Sequence, residues 1–186
     1  MDEIKRAIEI AELLPFRYLV LHLGLPDEEY DIGKFDAAFT SIEHLRIFAK
    51  ERGAQILLEN IPSELSTPQH ILLFLDYTRL DLKVCFDTGH AHMRGGVQSA
   101  FRTLRERIAA IHVHDNHGEK DEHLLPFEGD IDWAQTIRDF RSAGGQFPIF
   151  FELNSERNEP DVLARLREVR DRLEDDPEVN ALDSHG

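Results

Sequence analysis

Five short apolar runs divide this chain, and stretches of helical period separate them. The runs are 17–23 (RYLVLHL), 55–60 (QILLEN), 83–87 (KVCFD), 109–114 (AAIHVH) and 147–153 (FPIFFEL). They are short and almost continuously apolar, the pattern of strands covered on both faces. Between them, 34–52 carries Phe35, Phe39, Ile42, Leu45 and Ala49 at helical spacing, with Gly53 placed to end the helix. Thr67 is placed to cap a helix over 68–77 that has Pro68 at its first position. Further helices are predicted over 2–14, 97–108 and 132–143, and Val162, Leu166, Val169 and Leu173 form one stripe of a last helix. Alternating strands and helices call for a parallel sheet with right-handed crossovers, either an open doubly wound sheet or a (β/α) barrel. A complete eight-stranded barrel takes about 250 residues and rarely fewer than about 200, and this chain has 186.

Composition narrows the partners. Against 21 Lys and Arg stand 36 Asp and Glu, a formal net charge of −15. Such a chain repels nucleic acid and anionic membrane surfaces unless metal or a local basic patch intervenes. The single cysteine, Cys85, excludes an internal disulfide and fits a reducing compartment. The first 14 residues are charge-rich rather than an apolar signal segment, and no apolar run reaches membrane-spanning length. The expectation is a cytoplasmic protein with no membrane partner; self-association is left open.

Polar residues fall at telling places. Every predicted strand carries a ligand-type side chain at or near its C-terminal end: His22, Glu59, Asp87, then His112 with His114, then Glu152. Asp87 is followed by His90 and His92 in CFDTGHAH. Parallel α/β folds build their sites at the carboxyl ends of strands. A buried acid without a partner is costly, so Glu152 between Phe151 and Leu153 calls for one. Carboxylates mixed with imidazoles suit Mn²⁺, Zn²⁺, Co²⁺, Fe²⁺ or Mg²⁺ and do not separate them. His112 and His114 alternate and should share a face. Cys85 reads as a small core residue off the metal-facing side, and Asp-Thr-Gly at 87–89 also fits a cap or a turn.

The ordered set LLEN, CFDTGHAH, HVHDN, DEH, GDIDW and FEL resembles the xylose isomerase-like TIM barrel superfamily, which includes sugar-phosphate isomerases and epimerases and the apurinic endonuclease relatives (AP endonuclease family 2). The resemblance implies a partial barrel of about five βα units, corresponding to strands four to eight, over 1–174, with an acidic, disordered tail at 175–186. It implies a shared metal site of Glu59, Asp87, His112 and Glu152, with Glu59 and Glu152 as the catalytic acids. It assigns substrate contacts to His90, His22 and His114. For an endonuclease-like member, His22, His90, Asp121 and His123 would hold additional metal. The leading expectation is a metal-dependent isomerase or epimerase acting on a sugar or sugar phosphate through an enediolate. The alternatives are a metal-dependent phosphodiesterase, or an inactive barrel fragment that needs a partner or the missing strands.

Overall fold

The computed structural model describes residues 1–144, 147–154 and 161–175. These fall into two compact units, Met1–Phe86 with Glu106–Ala109, and Asp87–Arg105 with Ala110 onward.

In the first unit, α1 (Asp2–Glu9) leads through a 3-10 turn to β1 (Tyr18–Leu21), followed by α2 (Ile32–Lys50), β2 (Gln55–Glu59), α3 (Pro68–Thr78) and β3 (Lys83–Asp87), whose last residue belongs to the second unit. β1 pairs parallel with β2, and β2 with β3. Side-chain oxygens start the helices. Asp31 accepts from the Gly33 and Lys34 amides before α2, and Thr67 accepts from the His70 amide before α3. Each takes up an amide that the first helical turn leaves unpaired. Gly53, at φ +75°, turns the chain from α2 into β2 with a backbone that side chains disfavour. Phe35, Ile42 and Leu45 of α2 are buried, as are Ile71, Phe74 and Leu75 of α3 and Ile56, Leu57 and Leu58 of β2. Phe35 meets Phe74 edge-on with ring centres 5.0 Å apart.

The second unit contains α4 (Thr88–Met93), α5 (Val97–Leu104), most of β4 (Ile108–Val113), α6 (Trp133–Ser142), β5 (Ile149–Phe151) and α7 (Val162–Asp175). β4 pairs parallel with β5. Phe101 of α5 packs against Phe140 of α6 at 5.0 Å. The buried residues Ala100, Leu104, Ile111, Val113, Ile137 and Leu173 complete this core.

All five strands lie where the apolar runs place them, but several bounds move. β1 stops at Leu21 because the chain beyond leaves the ladder, and the Leu23 amide donates to Ser66 Oγ instead. β5 starts after Pro148, which has no amide proton to offer a ladder. The helices expected over 2–14 and 97–108 end at Glu9 and Leu104, each running into a 3-10 turn. Of the cap and turn readings of the Asp-Thr-Gly segment, the cap holds: Asp87 caps a helix that begins at Thr88. β4 ends at Val113, so His114 lies just past the strand. In the tail, Asp175 ends α7 and 176–186 lie outside the described residues. Among the described residues, no helix is long and apolar enough to cross a membrane.

Replacing Phe74, fully buried against Phe35, with alanine should cost about 3–5 kcal/mol, read as a lower midpoint of urea unfolding with native-like circular dichroism below the transition.

Candidate active site

In the first unit the site begins with strand register. Leu21 of β1 lies beside Leu58 of β2, so the next residues, His22 and Glu59, come together. His22 Nε2 and Glu59 Oε2 share a hydrogen bond of 2.8 Å. Glu59 is 3% exposed and His22 is open to solvent, so the acid is buried and its imidazole partner reaches it from the surface. Glu59 is in register with Cys85 of β3. Register partners in a parallel pair point the same way. The buried thiol therefore shares the face of Glu59, contrary to the expectation that it lies off the metal-facing side.

The second unit gathers most of the other candidates. Asp87 is fully buried, and its Oδ1 accepts the His90 amide at 2.7 Å as the cap of α4. The same oxygen lies 3.3 Å from His90 Nδ1 and 3.0 Å from His114 Nε2. His114 is also fully buried, and neither of its ring nitrogens makes a well-directed hydrogen bond. Its backbone is fixed by Thr88, whose hydroxyl donates to the His114 carbonyl at 2.9 Å and lies 3.2 Å from the His114 amide, positioned to accept from it. Its ring is pressed against Gly89, where a Cβ would lie 2.0 Å from the imidazole. Only glycine fits there.

A long loop after β4 delivers the remaining groups. Its anchor is Asp115, which is fully buried. The Asp115 carboxylate accepts from Trp133 Nε1 at 2.7 Å and from the amides of Asn116, Phe127 and Ile131. Trp133 is thus a buried packing and anchoring residue. Asp115 also exchanges backbone hydrogen bonds with Leu124 at 2.9 Å, and Asn116 Nδ2 donates to the Gly89 carbonyl at 2.9 Å. This brings Asp121 and His123 to the imidazoles. Asp121 Oδ2 pairs with His90 Nε2 at 3.2 Å and with His123 Nε2 at 3.1 Å. The His123 ring stacks on His114 with centres 4.0 Å apart. His123 holds a left-handed backbone at φ +49°, uncommon for a residue with a side chain and a mark of a constrained position. Its Nδ1 donates to the Glu152 carbonyl at 3.0 Å, which aims Nε2 at Asp121.

His90, His114, Asp121 and His123 can each turn one ligand atom to within 4.8 Å of the others. Three imidazoles and one carboxylate form a donor set suited to a divalent ion such as Zn²⁺. The buried, poorly satisfied imidazole of His114 is what such an ion would complete. The set fits a metal. His112 and Glu152 form a further pair, with Nδ1 and Oε2 2.7 Å apart at the ends of β4 and β5, and each can turn a ligand atom to within 4.8 Å of Asp87. The exposed His117 faces Glu122 at 2.8 Å.

Electrostatics follow the geometry. Burial acts to raise the Asp121 carboxyl, but hydrogen bonds from His123 and His90 win and hold it well below the usual carboxylate range. The hydrogen bond to Asp121 pushes His123 up to about 9, against the opposing effect of burial. In the metal-free protein His123 is therefore protonated at neutral pH.

The residues singled out from the sequence are thus distributed by unit. His22 and Glu59 meet in the first; Asp87, His90, His114, Asp121 and His123 gather in the second, with His112 and Glu152 paired beside β5. The sequence pattern did not reveal that His114 belongs with Asp121 and His123, nor that Thr88 and Gly89 hold it. The signal available was a small pair, Thr-Gly, directly after a strand-end acid.

Such a donor set after parallel strands defines an α/β protein whose polar site lies at the carboxyl ends of its strands. Residues 1–174 match the family model of the xylose isomerase-like TIM barrel, and the chain belongs to that family. An uncharacterised protein of Sinorhizobium fredii is 29% identical over 187 residues, covering 94% of this chain and 60% of that protein. An uncharacterised protein of Methanocaldococcus jannaschii is 30% identical over 148 residues, covering 76% of this chain and 57% of that protein. The chain thus spans 57–60% of the length of these curated relatives. Among solved structures, a D-tagatose 3-epimerase-like protein superposes with a TM-score of 0.77 at 26% identity, covering 95% of this chain and 68% of that one. The IolI protein with a bound zinc atom shares the fold at a TM-score of 0.76 and 15% identity, covering 92% and 68%.

Two outcomes test this geometry. Gly89→Ala should push the His114 ring out of place and weaken Zn²⁺ binding by at least about tenfold, the scale of losing an orienting contact, as measured by competition with a chromophoric chelator. Metal must displace the proton of His123, so Zn²⁺ affinity should rise about tenfold per pH unit between pH 7 and 9 from this one group and level off above it. His123→Asn should flatten that slope by one proton.

Proposed function

We propose that this chain carries the proton-transfer site of a metal-dependent isomerase or epimerase that acts on a sugar or sugar phosphate. The observation that carries the reading is a histidine–glutamate pair at the strand ends of each unit: His22 with Glu59 at 2.8 Å and His112 with Glu152 at 2.7 Å. A carboxylate held by an imidazole can serve both as a ligand and as a positioned acid or base. The likeness to a D-tagatose 3-epimerase-like protein at 26% identity supports the same class.

In this reading one of Glu59 and Glu152 takes the proton from the carbon beside the substrate carbonyl. The C–H electron pair becomes a carbon–carbon double bond, and the carbonyl π electrons move onto oxygen, giving an enediolate. The other acid of that pair, which the motif resemblance assigns, supplies the proton that returns to carbon. The motif resemblance assigns a divalent ion to Glu59, Asp87, His112 and Glu152, and such an ion would supply positive charge where the oxygen becomes negative. His112 orients Glu152, and His22 and His90 offer ring nitrogens to substrate hydroxyls.

A second reading, metal-dependent phosphodiester hydrolysis, is favoured by the cluster of His90, His114, Asp121 and His123, which is more metal-binding equipment than one proton transfer requires. The net charge of −15 opposes a polyanionic substrate.

The test is to incubate the purified, metal-analysed protein with a panel of ketoses and their phosphates in D₂O. NMR then follows deuterium entry beside the carbonyl. Exchange with at least one sugar is expected. Glu152→Gln should slow it by about 10²–10⁴-fold, the usual worth of a positioned acid or base, and EDTA should abolish it. Metal-loaded protein that exchanges no sugar but cleaves abasic DNA would replace this reading with the second.

A further inference from the structure

The face of the first unit opposite the strand-end acids holds a hollow of about 350 Å³. It lies where β2 and β3 begin, at Gln55 and Lys83, and is walled by Arg46 and Lys50 from the last part of α2. Glu59 is four residues further along β2, about 13 Å away at the rise of a strand. In a chain with a net charge of −15 this lining is unusual: Arg46, Lys50 and Lys83 face one acid, Asp81, for a local formal charge of +3 − 1 = +2. None of the three cations forms an ion pair among the described residues, although acids are abundant. Arg52, two residues past Lys50, differs in having an acid beside it: its Nε, although it too makes no well-directed hydrogen bond, lies 2.9 Å from Glu12.

The decisive group is Arg46. Its Nε is buried and has no hydrogen-bond partner. A buried guanidinium N–H without an acceptor is costly, and the cost is relieved by an anionic oxygen. Cations at a helix C-terminus offset the helix dipole. That accounts for Lys50, the last residue of α2, but not for the half-buried Arg46 one turn earlier or for Lys83 on a different element. The floor of the hollow is apolar and closed, with Ile56 and Leu57 buried. We propose that this hollow binds a phosphate group, with the Arg46 guanidinium donating to its oxygens and Lys50 and Lys83 supplying charge. A guanidinium suits phosphate because its N–H groups form a planar fork that matches two oxygens, and the ammonium groups add point charge. The site is separate from the strand-end acids and independent of the reaction assigned to them.

The probe is inorganic phosphate, titrated into the ¹⁵N-labelled full chain at constant ionic strength, with chloride as the reference anion. Saturable shifts of the Gln55 and Lys83 amides are expected, without matching shifts at Glu59. Arg46→Gln should weaken binding by about tenfold or more, and Lys83→Gln, at an exposed position that does not endanger folding, by several-fold, the range expected for loss of a charge-assisted contact. A second arm compares a sugar phosphate with its free sugar. Tighter binding of the ester than of inorganic phosphate would identify an esterified ligand, and equal binding the free ion. Shifts that do not saturate, that chloride reproduces, or that survive both substitutions would overturn the proposal.

Discussion

The buried carboxylate of Asp87 is the constraint around which the second unit is arranged. A buried charge is tolerated only where donors surround it. Asp87 receives the His90 amide and has the His90 and His114 rings within 3.3 Å. Capping fixes where α4 starts, and that start fixes His90 one turn later. The same turn carries Thr88 and Gly89, which hold the His114 backbone and leave room for its ring. One acid at a strand end thus positions two imidazoles from different elements.

A second buried acid, Asp115, does for the loop what Asp87 does for the helix. The loop after β4 has little regular structure, and such segments normally leave their amides to water. Asp115 collects three backbone amides and the Trp133 indole N–H instead. The result is a loop stiff enough to hold His123 in a left-handed backbone conformation and to present Asp121 between two imidazoles. Trp133 therefore affects the site from a distance, by fixing the carboxylate that fixes the loop.

The charge of the chain takes on meaning at this level. In the first unit Arg46, Lys50 and Lys83 share one hollow with a single acid, Asp81. At the strand ends, by contrast, acids are matched with imidazoles, which accept either a proton or a metal at neutral pH. The pairing of Asp121 with His123 is the proton-bound form of that choice.

The chain itself specified a good deal. Strand positions followed from apolar runs, and the helix start at Thr67 from a side chain that pairs with its own backbone a few residues on. These are local effects, readable from neighbours in sequence. The residue types at the strand ends were equally legible, because parallel strands have a fixed direction and polar residues at the end of an apolar run require partners. Tertiary structure decided which partner each received. His114, two residues from His112, stacks on His123 while His112 turns to Glu152; Cys85 shares the face of Glu59; and Asp115 gathers donors from up to 18 residues away. Such choices depend on sheet register and on the course of a long loop. Both are set by contacts between residues distant in the chain, which no local pattern encodes.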